Sequence, residues 1–183
     1  MVLRKIIIEN QIPTITLSTP CIFAIKKNST EINAAYMKNL HDILKKENYK
    51  KVKFKITKTQ HLLIRAKING VLGNFILDTG ASNSCVGFES VDLFLLEAKK
   101  SKTKASGAGA TGMTTQLALK NKLQLGSWKD TNFELVIFDL SHVNEALIQH
   151  KSKPVHGIIG ADILMKGKAI VDYYNHYLYL LKF

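Results

Sequence analysis

The residues best suited to chemistry lie in one short run, Phe75-Ile76-Leu77-Asp78-Thr79-Gly80-Ala81-Ser82. Three apolar residues drive a strand into a core, and an acid follows where the strand ends. A carboxylate buried at such a point is costly unless something satisfies or uses it. Gly80 permits a tight turn, so main-chain N–H groups can point back at the carboxylate. Thr79 sets a short, stiff hydroxyl beside the acid, and Ala81 is small enough to let another group approach. Held this way, Asp78 could take up or give a proton to a reacting molecule. The same run also reads as an Asx-type turn that merely ends a strand.

A second segment bears on that choice. Ile158-Ile159-Gly160-Ala161-Asp162-Ile163-Leu164 is another buried strand ended by glycine, followed by a short helix. Between the two lies Ser106-Gly107-Ala108-Gly109-Ala110-Thr111-Gly112-Met113, a glycine-rich stretch leading into an alternating strand. The order suits a strand-ending acid, a bending hairpin above it and a strand returning beneath it. Other reactive types are less promising. His41, His61, His142, His150, His156 and His176 show no metal-ligand spacing, apart from His142 and His150 sharing a helical face, and no metal or other cofactor is expected. Cys85 has no histidine partner and reads as a small buried hydrophobe. Asp162 reads as a hydrogen-bond acceptor at a helix start, and Asp172 as structural.

These segments need a scaffold. Tyr36, Leu40, Ile43, Leu44 and Glu47 recur at helical spacing, which predicts a helix over 33–48. Lys51–Thr57 alternates as a strand. Leu62–Ile68 and Val71–Leu77 are strands joined by Asn69-Gly70, a dipeptide suited to the positive φ angles of a type I′ hairpin. Leu117, Leu119, Leu123 and Leu125 are expected on one strand face, with Lys120, Lys122 and Gln124 on the other. Gly126-Ser127 turns the chain, and Phe133–Phe138 reads as a buried strand. Ser141 is the expected N-cap of a helix over His142–His150. A helix from Ala161 to about Lys166 and a strand pair, Ala169–Tyr173 and Tyr177–Leu181, close the chain, with Asn175-His176 between the last two. Many short strands, few helices and no repeated βα unit give an all-β barrel or sandwich with short helices.

The 183 residues suffice for one domain plus an appendage, and a hydrophobic fraction of 46% excludes wholesale disorder. Two cysteines, Cys21 and Cys85, make no disulfide framework. The N-terminal apolar run Ile6-Ile7-Ile8 is too short for a secretory signal, so a cytoplasmic location is expected, with no membrane partner. Met37 is a candidate natural start, with residues 1–36 an over-extended reading frame. A native peptide upstream of Met37 in mass spectrometry would refute that. Net charge is +12, from 26 Lys+Arg against 14 Asp+Glu. Residues 1–58 hold 12 and 4, a net of +8, and residues 59–183 hold 14 and 10, a net of +4. Only Arg4 and Arg65 are arginines, and Lys51, Lys53 and Lys55 alternate with apolar residues as on a solvated strand face. A nucleic-acid groove would favour arginines and interleaved aromatics, so nucleic acid is not an expected partner. Lys99, Lys100, Lys102 and Lys104 read as a solvated loop.

The order of these motifs resembles the retropepsin-like aspartic proteases, single-lobed relatives of pepsin, especially the bacterial stand-alone members. Asp78-Thr79-Gly80-Ala81-Ser82 is similar to their catalytic loop. Ile158-Ile159-Gly160 is similar to the hydrophobic-hydrophobic-glycine element that threads it. Gly160–Leu164 resembles the start of their C-terminal helix, and Ala169–Leu181 their closing strands. The resemblance covers about residues 59–183 and implies a closed acid-protease barrel there, after a basic extension, 1–58, containing one helix. It implies that Asp78 is catalytic, that Thr79, Gly80, Ala81 and Ser82 support it, and that Gly107, Ala108, Gly109, Ala110 and Gly112 form a flap over a polypeptide substrate. Two aspartates must share one water, yet the chain has a single Asp-Thr-Gly. The resemblance therefore implies a homodimer, with the strands around Tyr177–Phe183, and an N-terminal strand, forming the interface sheet. A catalytically weak or inactive dimer of the same fold that binds peptides or protein partners is the alternative.

Overall fold

The computed structural model describes residues 40–100, 105–107 and 110–182. All of them belong to one unit, Lys38–Phe183. Its framework starts from the hairpin that Asn69-Gly70 dictates. Strands β2 (Leu62–Ile68) and β3 (Val71–Leu77) pair along their whole length, with Ile68 opposite Val71. Asn69 (φ 50°) and Gly70 (φ 89°) both take the left-handed region that a two-residue turn of this hand requires.

The remaining strands are β1 (Tyr49–Ile56), β4 (Cys85–Gly87), β5 (Ala98–Lys100), β6 (Ala105–Gly107), β7 (Ala110–Met113), β8 (Gln116–Leu125), β9 (Trp128–Phe138), β10 (Gly157–Ile159), β11 (Ile170–Asp172) and β12 (Tyr177–Leu181). Six of the strands close a ring in the order β2-β3-β10-β4-β9-β8, with β8 pairing back onto β2. The fold is therefore a closed, mostly β barrel, and of the two architectures read from the strand pattern it is the barrel. Closure leaves no edge on those six strands and gives alternate side chains a common interior. Ile64, Ala66, Ile68, Phe75, Leu77, Leu123, Leu135, Ile137 and Ile159 fill it, each almost wholly buried. A smaller apolar cluster lies outside the barrel wall. There Ile76 packs with Leu147 and Val155, with Leu63, Val143 and Ile158 against them.

Among the described residues three α-helices flank the strands: α1 over 40–46, α2 (Ser141–Gln149) and α3 (Ala161–Lys166). In α1, Leu44 is buried whereas Ile43 is half exposed, so the apolar stripe is narrower than its spacing suggests. The expected residues 33–39 of that helix lie outside the described residues, as do the candidate start Met37 and Cys21. Asn48 (φ 63°) turns the chain into β1. β1 pairs with both β12 and β2. Residues 49–56, which sequence assigns to the extension, thus share one sheet with the barrel.

Two expectations about faces need correction. Leu117, Leu119, Leu123 and Leu125 do not share one face of β8. Between Ala118 and Asn121 the strand carries an extra residue relative to β9, with Lys120 at φ 59°. Such a bulge exchanges the inward and outward faces. Ala118, Asn121, Leu123 and Leu125 are buried, while Leu119 is 41% exposed. β9 is no short buried strand either. It begins at Trp128, alternates along much of its length, and takes Phe133 inward and Glu134 outward.

The N-cap of α2 also differs. Leu140 holds the cap position without a side-chain bond, and Ser141 is the first helical residue. The Ser141 hydroxyl and N–H both donate to Asp139 Oδ1. These two bonds, the hydroxyl first, hold the Asp139 carboxyl below its usual range. Lys99 and Lys100, read as loop, lie in β5 and pair with β8, although their side chains stay exposed.

Candidate active site

Asp78 stands one residue beyond β3, where that strand runs parallel to β10. Its N–H donates to the Ile159 carbonyl at 3.0 Å, extending the ladder by one rung. The chain then turns. Gly80 N–H donates to Asp78 Oδ1 at 2.8 Å and Ala81 N–H to the Asp78 carbonyl at 3.3 Å. The first is the back-pointing main-chain donor that a glycine at this place allows. Asp78 is half-buried, and Thr79 and Gly80 are exposed.

The loop is locked to the segment leaving β10. Ala161 N–H donates to the Ala81 carbonyl at 2.7 Å, and Asp162 N–H to the Ser82 carbonyl at 3.2 Å. Beneath these bonds lies a buried side-chain network that sequence reasoning did not find. Ser84 is fully buried. Its hydroxyl donates to Asp162 Oδ1 at 2.7 Å and accepts from Gly160 N–H at 2.9 Å, and its N–H donates to Asp162 Oδ2 at 2.9 Å. Asp162 thus takes the structural role expected of it, and α3 starts directly from this network. Lys166, near the helix end, forms an ion pair with Asp130 of β9 at 2.6 Å. Nothing in the spacing of Ser84 signals its partners, which lie 76 and 78 residues away.

Two glycines let the backbones approach this closely. A Cβ on Gly160 would lie 2.7 Å from the Ala81 carbonyl oxygen and from the Asn83 carbonyl carbon. A Cβ on Gly157 would lie 2.1 Å from the Cys85 carbonyl oxygen. Both obstacles are main chain and cannot rotate away. Ile158 and Ile159 of the same element face opposite ways, Ile159 into the barrel and Ile158 against the outer cluster.

The glycine-rich stretch forms a two-stranded hairpin of β6 and β7, pairing Gly107 with Ala110. Gly107, Ala110 and Gly112 lie in its strands, and Ala108 and Gly109 lie outside the described residues.

Cys85 is buried, and burial first of all pushes its thiol up to about 12, as befits an inert packing residue. Asp172 is buried and accepts from the N–H and side-chain amide of Asn175. His142 and His150 line a cavity of about 360 Å³ with His61. Among the described residues no three His, Cys, Asp or Glu are placed to hold a metal ion. His156 accepts from Asn74 N–H, and His41 and His176 lie near Tyr179 and Phe54. No helix among the described residues is long and apolar enough to cross a membrane.

An aspartyl protease family model matches residues 64–163, 100 of the 183 residues, from β2 through the start of α3. The chain belongs to the aspartyl protease family. No curated protein sequence matches. Among solved structures, a retropepsin-like aspartic protease from Rickettsia conorii is similar at 19% identity and a TM-score of 0.50, over 72% of this chain and 89% of that one. The EIAV protease complexed with the inhibitor HBY-793 is 18% identical at a TM-score of 0.46, over 61% and 91%. The retroviral protease-like domain of Ddi1 from Leishmania major is 16% identical at 0.45, over 66% and 87%. The barrel is accordingly retropepsin-like.

One expectation drawn from the family meets an obstacle. β12 is hydrogen-bonded on both sides within its own chain, to β1 through Tyr49–Lys53 and to β11 through Ile170–Asp172. Leu181 is tied further, its N–H donating to Gly167 and its carbonyl accepting from the Trp128 indole. An intersubunit sheet cannot form on β12 without breaking one of these ladders. Phe183 lies outside the described residues.

Proposed function

We propose that the chain is a homodimeric aspartic endopeptidase in which two Asp78 carboxylates, one per subunit, activate one water. The observation that carries this reading is the Asp78 loop. The chain has a single Asp-Thr-Gly, its aspartate is fixed by Gly80 N–H and the Ile159 carbonyl, and Thr79 and Gly80 are left exposed. A two-fold axis beside this loop would bring two such carboxylates together.

The chemistry follows from like charges held close. Two carboxylates about 3 Å apart cannot both ionise easily and keep one proton between them. The ionised member takes a proton from the water, which attacks the peptide carbonyl. The protonated member donates to the carbonyl oxygen and stabilises the tetrahedral intermediate. No covalent intermediate forms. The mechanism needs that one shared proton, so activity is expected on the acid side. Thr79 of each chain would brace the partner's loop, Ala81 and Ser82 would complete the loop wall, and Ile158, Ile159 and Gly160 would thread it. Gly107, Ala108, Gly109, Ala110 and Gly112 would close over the bound peptide and exclude water.

Asp78→Asn tests the reading, with an expected loss on the order of 10²–10⁴-fold in peptide cleavage. Subunit mixing tests the sharing. A ninefold excess of Asp78→Asn protein should lower the activity of a fixed amount of wild type about tenfold once subunits exchange. Independent sites would show no change. Wild type that cleaves nothing in a broad peptide library from about pH 4 to about pH 7 would favour the peptide-binding dimer.

A further inference from the structure

A cavity of about 920 Å³ lies among the described residues, and Asp78 does not line it. It is a groove on the outer face of β1, β2 and β3, walled on one side by Ser152–Val155. Its rim carries Lys53, Lys55, Arg65, Lys67 and Lys153, and no Asp or Glu lines it. No ion pair joins any of the five to another described residue. Its floor is partly apolar, through Leu63 and the half-exposed Leu72. A sheet face normally intersperses both signs of charge or is covered by another element. Among the described residues, α2 packs only against the Ile76 end of β3 on this side.

We propose that this groove docks an acidic, extended stretch of polypeptide, recruiting protein substrates at a site separate from Asp78. The recruiting role rests on the protease reading, whereas the binding itself does not. Charge complementarity sets the sign of the partner. The spacing sets its form, because cations on alternate residues of β1 and β2 repeat about every 6.6 Å, as acids do on one face of an extended chain. Single-stranded nucleic acid fits less well, because the lining holds one arginine and no aromatic ring for bases to stack on. The chain's own first 39 residues are no charge complement either. They carry Arg4, Lys5, Lys26, Lys27 and Lys38 against Glu9 and Glu31.

The test uses the full chain with Asp78→Asn, so that nothing is cleaved during titration. The probe is a fluorescent peptide of about ten residues alternating glutamate and valine. Saturable binding is expected, weakening several-fold between about 50 and about 200 mM salt. Lys53→Gln, Lys55→Gln, Arg65→Gln and Lys67→Gln together should weaken it about tenfold or more. In the Asp78 background, the same four changes should leave cleavage of a short neutral peptide unaltered. The proposal falls if the peptide does not bind, or if the fourfold variant binds it equally well. It falls also if an oligothymidine of similar length binds more tightly, which would make the groove a nucleic-acid site. Binding without any cleavage by wild type would overturn the protease reading and leave the groove standing.

Discussion

The Asp78 loop and the outer face of β1–β3 use the same barrel in opposite ways. At the loop, short backbone approaches and hydrogen bonds fix each group. Gly80, Ala81, Ser82 and Ser84 are bonded to Asp78 or to the segment leaving β10. On the outer face, five cations stand in solvent with no ion partner among the described residues. The acid–base chemistry proposed for the loop would need carboxylates held to fractions of an ångström, and the loop is accordingly bonded to the segment leaving β10. Recruitment by charge acts over several ångströms and tolerates mobile side chains. The difference predicts that single substitutions are costly at the loop and mild on the face.

The largest effect on folding is expected at Gly157. Gly157→Ala sets a methyl 2.1 Å from the Cys85 carbonyl oxygen, in the strand between β3 and β4. A backbone obstacle forces strand separation, and the expected loss is about 3 kcal/mol or more in urea denaturation. Gly160→Ala meets its obstacles at 2.7 Å and should cost less stability but displace the Asp78 loop. If both variants unfold at the wild-type urea midpoint, the close threading of loop and strand is wrong. Ser84→Ala comes next. It removes the acceptor of the Gly160 N–H and one donor to Asp162. The expected loss is about 1–3 kcal/mol, the usual cost of an unsatisfied buried group. A Tm equal to wild type would remove Ser84 from the framework.

This contrast also explains which parts were legible in the sequence. The β2–β3 hairpin is legible to the residue, because an Asn-Gly turn and alternating strands are local signals. The Asp78 loop is legible because its acid, hydroxyl and glycine are contiguous. The partners of that loop are less so. Ile158-Ile159-Gly160 stands out through the family resemblance, but the hydroxyl of Ser84 reaches Asp162 only after the chain has closed the barrel. The face of β8 misleads for a physical reason. A strict two-residue period breaks at Lys120, where a bulge moves Leu119 to solvent and Asn121 inside. That bulge is stitched by the hairpin turn, since Asn69 donates to Asn121 and accepts from Lys122 N–H, a tertiary contact that no local pattern carries. The groove was visible only as alternating lysines, since Lys153 joins it from a distant loop.

Cys85 sharpens the contrast from inside the wall. Its folded thiol is raised to about 12 from an ordinary 9.0. Between those values the unfolded chain has lost the proton and the folded chain keeps it. The thiol's contribution to stability is therefore whole below about pH 9 and fades as pH rises toward 12. The stability advantage of wild type over Cys85→Ala should shrink between about pH 8 and about pH 10.5. An advantage that stays constant across that range would mean an accessible, unshifted thiol, and one that grows with pH would mean a thiolate favoured by the fold.

The smallest effect is expected on the basic face, and there the near absence of change is the informative result. Arg65 and Lys67 point outward from β2, between the buried Ile64, Ala66 and Ile68. Arg65→Gln and Lys67→Gln remove charge without opening a cavity or leaving a hydrogen bond unmade, so each should change stability by less than about 0.5 kcal/mol. Arg65→Glu should do no more, although it reverses a charge, because its neighbours Lys53, Lys55 and Lys67 would gain a partner. Its Tm may be compared directly with that of Gly157→Ala under one buffer. A face whose charges were needed for folding would lose several degrees on such substitutions. A face kept open for a partner would lose only the partner, and the two outcomes separate a structural role for these cations from a recruiting one.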